Sequence, residues 1–309
     1  MSAARPIGAA VDVGSNSVHL LVARPARGGA LEHVYEKSEF LGLGDGVGRN
    51  GVIGREEIGH LIATLGHLKE PAAGAGAEWI EIVGTAPLRR AANGAQVAAA
   101  VEAALGLPLR ILSEQQEGEL TFAGVTGGQL PAQALLVVDI GGGSSEVIHH
   151  RAGSDLQVAS LPTGSASLTM ELVRNDPPTD EEVGRLRRRA AEHVAGLPEL
   201  AVERAIFCGG TPTKLGFFGP LSRPTLERVF DLARSLPAGT IASRHGLQLR
   251  RAQQLAAGAA LVEALLARHR LASAEVSEAS LRDGLILARL ASHAQASSRK
   301  RSLRHISTR

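Results

Sequence analysis

The stretch from Ala134 to His150, ALLVVDIGGGSSEVIHH, limits what this chain can fold into more than any other. A continuous apolar run, Leu135–Val138, leads to Asp139, three consecutive glycines and two serines, and a second apolar run carries Glu146. β-Branched residues on both sides of a loop that only glycine could line predict strand, hairpin loop, strand. A glycine run alone is explained by a tight turn that needs positive φ. Here the loop also lies between two carboxylates and carries hydroxyls. Backbone N–H groups left bare by glycine make an anion nest, and flanking acids can hold a divalent cation over it. Gly141, Gly142, Gly143 and Ser144, between Asp139 and Glu146, therefore read as a phosphate site.

The same plan occurs near the N-terminus. Ile7–Val22, IGAAVDVGSNSVHLLV, gives an apolar strand, Asp12, Gly14, the small polar residues Ser15, Asn16 and Ser17, and another apolar strand. DVGSNS and DIGGGS match position by position in kind. Any hairpin favours Gly, Asn and Ser at its turn. Two such hairpins, each opening roughly half of the chain, imply a domain built twice from one plan. A length of 309 residues suits two domains, placed at 1–125 and 126–309.

Composition removes several function classes. The formal net charge is +2, so no whole-chain field argues for nucleic acid or a membrane surface. Cys208 is the lone cysteine, which excludes an internal disulfide and a Cys-rich zinc site and suits a buried strand. The longest apolar stretch, Leu255–Ala267, is interrupted by Gly258 and Glu263 and is too short to span a bilayer. Asp12 breaks the first apolar run, so no secretory leader is expected and the protein reads as cytoplasmic.

The remaining segments alternate between the two periodicities. Leu31–Gly48 reads as one or two strands and a glycine-rich turn. Apolar residues at Ile58, Leu61, Ile62, Leu65 and Leu68 predict a helix over Arg55–Lys69, with a loop over Pro71–Ala77 and a strand over Trp79–Val83. In GTAPLRRAANG, Pro87 opens a helix, and Arg89 is either a bidentate phosphate ligand or a solvated helix arginine. After a strand over Leu109–Leu112, Ser113 with Gln116 forms a capping-box signature. Glu114, Glu117 and Glu119 occupy the opening turns, where acids are favoured whatever their function. Gly118 leaves space beside Glu117, which favours that carboxylate as the one facing a ligand.

Farther on, a strand ends in SLPTGSASLT, and a charged helix covers about Thr179–Glu192, its arginines forming a solvated face. A strand over Ala205–Cys208 delivers Gly209, Gly210 and Thr211, a third candidate phosphate loop. The pattern G-x-x-x-x-G-K-[ST] occurs nowhere in the sequence. Arg250–Arg268 reads as one core helix, and Val276–Arg289 as a strand, Arg282-Asp283-Gly284 and a final helix. The basic tail 297–309 reads as disordered.

The motifs DVGSNSVHLLV, GTAPLRRAANG, ILSEQQEGELTFAGV, VVDIGGGSSEVI and LRDGLILARL, in that order, resemble the exopolyphosphatase / guanosine pentaphosphate phosphohydrolase (Ppx/GppA) family over nearly the whole chain. The resemblance implies an α/β, actin-like ATPase (ribonuclease H-like) fold, its duplicated domains facing an interdomain cleft. The length is similar to that of the short members, which lack extra C-terminal helical domains. The resemblance places the family's catalytic glutamate at Glu117, with Gln116 where its neighbouring Glu stands, and the essential acids at Asp139 and Glu146. It makes Gly14–Ser17 and Gly141–Ser144 the loops around the terminal phosphate, and matches Arg89 to the family's arginine. Two departures bear on substrate preference: Ser167 stands where the family has an arginine, and Gln253 where it has an acid.

The expected activity is hydrolysis of the terminal phosphoanhydride of inorganic polyphosphate, with short chains preferred. Glu117 would deprotonate an attacking water, and Mg²⁺ (or Mn²⁺) near Asp139 and Glu146 would neutralise charge. Guanosine pentaphosphate as substrate, a non-catalytic sensor of guanosine tetraphosphate or polyphosphate, and an actin-fold small-molecule kinase are the alternatives. No nucleic acid or membrane partner is expected, and a homodimer is only the general prior for soluble enzymes.

Overall fold

The computed structural model describes residues 5–26 and 29–306, with side chains through residue 293 apart from that of Asp45. The first half begins with β1 (Gly8–Val13), β2 (Ser17–Pro25), β3 (Leu31–Phe40), α1 (Leu43–Asn50) and α2 (Arg55–Gly74). It continues through β4 (Trp79–Gly84), α3 (Ala86–Arg90), α4 (Gly94–Leu105), β5 (Leu109–Ile111) and α5 (Glu114–Thr126). The second half opens with β6 (Leu135–Ile140), β7 (Ser145–His150), β8 (Gln157–Leu161), α6 (Ser165–Leu172), α7 (Asp180–Ala195) and β9 (Arg204–Cys208). There follow α8 (Gly210–Leu215), β10 (Leu221–Ser222), α9 (Arg223–Ser235), α10 (Ala238–His245), α11 (Leu249–Gln253), α12 (Leu255–Arg268), β11 (Ser273–Val276) and α13 (Leu281–Ile306).

The strands form two sheets, ordered β3-β2-β1-β4-β5 and β10-β11-β9-β6-β7-β8. In the first, β1, β2 and β3 form an antiparallel meander, and β4 and β5 run parallel to β1. Without β10, the second repeats that order as β8-β7-β6-β9-β11, with β9 and β11 in the parallel positions. The chain therefore has the duplicated α/β architecture expected from its two hairpins, in the actin-like form that the family resemblance implied.

Alternation along the central strands decides what covers each face. From β1, Ala9, Val11 and Val13 pack with Leu61, Leu65 and Leu68 of α2 and Val97 and Val101 of α4. Ala10 faces the other way, where Leu21, Ala23 and Val83 meet Leu281, Leu285 and Ile286 of α13. In the second sheet Leu136, Val138 and Ile140 join a core with α7 and α12, and Leu135 and Val137 pack on Phe122 of α5. The helix that closes the first half thus covers the second sheet, and the helix that closes the chain covers the first. Where α5 and α13 cross, a Cβ on Gly284 would overlap the Leu120 carbonyl oxygen, and one on Gly124 the Ser280 carbonyl oxygen. Only glycine allows that approach.

Several local expectations change. Residues 43–50 are helical, because Gly42 and Gly51 (φ 70° each) bracket a turn that buries Leu43 and Val47. Helix α2 runs through Pro71 to Gly74, since burial of Ala72 holds its last turn on the core. The expected Arg250–Arg268 helix divides at Gln254 into α11 and α12, and the segment after β8 becomes α6. Of the charged-helix arginines, Arg187 is paired with Glu227 at 2.9 Å and with Glu263 instead of being simply solvated. Helix α13 continues to Ile306, into the segment expected to be a disordered tail; the side chains of 294–309, and 307–309 entirely, lie outside the described residues. No described helix is long and apolar enough to cross a membrane.

Candidate active site

The β1–β2 and β6–β7 hairpins meet at their loops. Each loop closes the same way: the Gly14 N–H donates to Ser17 O at 3.1 Å, and the Gly141 N–H to Ser144 O at 3.0 Å. The antiparallel register sets Asp139 opposite Glu146 and Asp12 opposite His19. The second half thus carries an Asp/Glu pair where the first carries an Asp/His pair. A Cβ on Gly142 would overlap the Asn16 side chain, and one on Gly143 would lie 2.5 Å from Ser15 Oγ. The glycines therefore let the two loops pack against each other, and that contact leaves one cleft of about 650 Å³ beside both of them.

Six carboxylates line this cleft; Glu36 and Glu278 are exposed, and the four withdrawn from water are Asp12, Glu117, Asp139 and Glu146. Burial pushes Asp12 up to about 7, helped by neighbouring Glu117 and opposed by Arg282. Glu117 rises to about 7, mainly through burial, although its hydrogen bond from Arg89 pulls the other way. Asp139 rises to about 6 by burial against the pull of Arg282, and Glu146 is held well above the ordinary range by burial and by Glu117 and Asp139. Like charges in a dry site cannot all ionise without a counter-charge. Lys214, Arg251 and Arg282 line the same cleft and supply fixed positive charge, and Arg282 acts directly on Asp12 and Asp139. His19 stays neutral, since burial, with Arg282 and Arg251 nearby, lowers its pKa to about 3.

Glu117 owes its place to a cap. Ser113 Oγ accepts from the Gln116 N–H at 3.1 Å and Gln116 Oε1 accepts from the Ser113 N–H at 3.0 Å, fixing the first turn of α5. Gly118 serves a different end from the expected one. A Cβ there would lie 2.6 Å from Val158 Cγ1, so the glycine seats α5 on β7 and β8 rather than leaving room for a ligand. Arg89 Nη1 donates to Glu117 Oε2 at 2.8 Å and to Leu112 O at 2.9 Å.

The donor set fits a divalent cation that arrives with its phosphates. Asp12 Oδ1 is buried without a hydrogen-bond partner, and acids with raised pKa values surround it. Among the described residues no cluster of three His, Cys, Asp or Glu forms a ready metal cage. Mg²⁺ is ordinarily held by one or two carboxylates together with substrate phosphates, so a complete protein cage is not required.

Residues 21–216 match the model of the Ppx/GppA phosphatase family. The chain belongs to the Ppx/GppA family. It is 31% identical over 306 residues to exopolyphosphatase 1 of Mycobacterium tuberculosis, covering 92% of this chain and 88% of that protein. Exopolyphosphatase 1 of Mycobacterium leprae is 30% identical over 304 residues, covering 92% and 89%. Among solved structures, the Aquifex aeolicus Ppx/GppA family member is 26% identical, covers 93% of this chain and 98% of its own, and superimposes with a TM-score of 0.78.

For this Ppx/GppA chain the cleft brings together Gly14, Ser15, Asn16 and Ser17, Gly141–Ser144, Asp139, Glu146, Glu117, Gly209 and Gly210. Two expected phosphate ligands lie off its wall. Arg89 is engaged with Glu117, and Thr211 is buried, 2.9 Å from Ser165 Oγ and 3.4 Å from Gly141 O. Sequence reasoning missed Asp12, His19, Lys214, Arg251 and Arg282. Asp12 was legible as the twin of Asp139. Lys214 was legible four residues after Gly210, on the third candidate loop, whereas Arg251 and Arg282 lie far along the chain and no spacing ties them to the loops. Of the family departures, Gln253 lines a neighbouring cavity, and Ser167 accepts the Gly164 N–H at 2.8 Å at the start of α6.

Proposed function

We propose that the chain is an exopolyphosphatase that releases orthophosphate from the end of inorganic polyphosphate, with short chains preferred. The observation that carries this reading is Glu117: a buried carboxylate poised near neutrality, held by Arg89, in a cleft with two phosphate loops and three cations. Loop N–H groups, with Lys214, Arg251 and Arg282, bind and orient the terminal phosphoryl group. Three cations suit the charge of a few phosphate units, which supports the preference for short chains. Glu117 orients and deprotonates the attacking water, and a base with a pKa near the working pH suits that task. Arg89 fixes the Glu117 carboxylate rather than clasping substrate. Asp139 and Glu146, with Asp12 beside them, would hold the Mg²⁺ (or Mn²⁺), which when bound supplies charge neutralisation on the phosphoryl oxygens. The buried floor keeps bulk water from the reacting group.

One observation favours a second substrate. A cavity of about 400 Å³, walled by Met170, Val173, Leu236 and Ile241, shares Asn16 with the cleft. Its wall also carries Asn175, Asp176, Arg250 and Gln254, and a chamber that mixes apolar surface with hydrogen-bonding groups beside a phosphate loop suits a nucleoside, so guanosine pentaphosphate is the alternative. The deciding experiment is Mg²⁺-dependent phosphate release from tripolyphosphate, long polyphosphate and guanosine pentaphosphate, wild type beside Glu117→Gln. Release from polyphosphate that falls about a thousandfold in the variant supports the hydrolase. Release from the nucleotide alone moves the chain to the alternative, and no release from any substrate overturns both.

A further inference from the structure

A charged cluster on β3 reaches the cleft from outside its floor. Residues three apart on a regular strand point to opposite faces. His33 and Glu36 share one face because the strand bulges: Ala23 pairs with His33 and Val22 with Tyr35, which leaves Val34 unpaired. His33 Nδ1 then lies 2.6 Å from Glu36 Oε1, and His33 Nε2 lies 2.7 Å from Asp283 Oδ1. Both ring nitrogens face carboxylate oxygens, so the imidazolium form, with an N–H to each, is the one that satisfies them. Those two hydrogen bonds raise the His33 pKa to about 10.

One of the two carboxylates, that of Glu36, lies within ion-pair distance of Arg282. Asp283 is its neighbour in the chain, is almost wholly buried, and accepts the Ser280 N–H at 2.9 Å in the first turn of α13. Glu36 lines the cleft, and its Oε2 lies 3.7 Å from Arg282 Nη1. Left to themselves, these acids would draw the guanidinium and repel a polyanion. Held by His33, they leave Arg282 anchored on one side, with Nη1 3.5 Å from Leu20 O, and lining the substrate cleft on the other.

We propose that His33 is a positioning residue for substrate: it holds Glu36 and Asp283 so that the Arg282 guanidinium stays available to the phosphates. The inference rests on the phosphohydrolase reading above and adds to it a determinant of anion affinity built on the edge strand.

The test is steady-state hydrolysis of tripolyphosphate, with calorimetric binding of the same compound, for wild type, His33→Ala, Glu36→Gln and the double variant. His33→Ala is expected to raise KM about tenfold, the weight of one charge-assisted hydrogen bond, with kcat changed less than about threefold. Adding Glu36→Gln to His33→Ala removes, of the two carboxylates left without their partner, the one within reach of Arg282, and is expected to restore KM to within about threefold of wild type. An unchanged KM in His33→Ala overturns the inference. So does a raised KM that Glu36→Gln fails to rescue, because loss of a purely structural contact is not repaired by removing its partner. Wild type that neither binds nor hydrolyses tripolyphosphate overturns the hydrolase reading and this inference with it.

Discussion

The Arg89 guanidinium donates to the Glu117 carboxylate at 2.8 Å, and the same Nη1 also reaches the Leu112 carbonyl oxygen. On the proposed reading, Arg89 therefore serves the base rather than the substrate. Its charge lowers a Glu117 pKa that burial has raised to about 7. Arg89→Met removes that pull, so Glu117 rises further. The acid limb of kcat/KM against pH should move upward by at least about one unit, and the rate at neutral pH should fall. A limb that stays in place while KM rises would mean that Arg89 clasps phosphate instead.

The crowded carboxylates carry a stability cost that depends on pH. The Asp12 pKa is raised from 3.8 to about 7 in the folded chain, so folding takes up protons there. Its contribution is most favourable below about pH 4 and is lost as pH rises through about 7. Without divalent cation, Asp12→Asn should melt a few degrees above wild type at pH 8, and the gain should shrink toward pH 5. Thermal melts in chelator at the two pH values check this, and an equal gain at both would rule out titration as its source.

The α5–α13 crossing has no room for a methyl group. Gly284→Ala sets a Cβ against the Leu120 carbonyl oxygen, which backbone alone can relieve. Destabilisation of about 3 kcal/mol is expected in denaturant melts, at the upper end of ordinary overpacking. Gly239→Ala, where a Cβ meets nothing within 4 Å, is the control and should be close to neutral.

Cys208 is fully buried in β9, and burial with Asp139 and Glu146 nearby pushes its thiol pKa well up. A thiol reagent should therefore leave the native chain unlabelled and modify it at the rate of unfolding. Rapid labelling under native conditions would show that β9 opens locally.

The paired hairpins were legible because their chemistry is local. An apolar run, an acid, glycines and hydroxyls specify strand, nest and strand within a dozen or so residues, and Asp139, Glu146 and the loop glycines followed directly. Helix α1 was not legible: its glycines read as a turn, and only burial of Leu43 and Val47 makes it helical. Gly118 was read as space for a ligand, whereas the packing partner that requires it, Val158, lies on β8.

By itself the sequence determined that the chain folds as two related α/β halves, each opening on a phosphate-type loop, and it marked three of the four acids as chemistry. Those features rest on residues close together in the chain, where periodicity and backbone freedom act. Tertiary structure alone decided that α5 and α13 exchange sheets, that Arg89 turns to Glu117, and that Lys214, Arg251 and Arg282 come to line the same cleft as the acids. Each of these depends on which distant surfaces share a core and which charges must be neutralised once water is excluded. No local pattern encodes that.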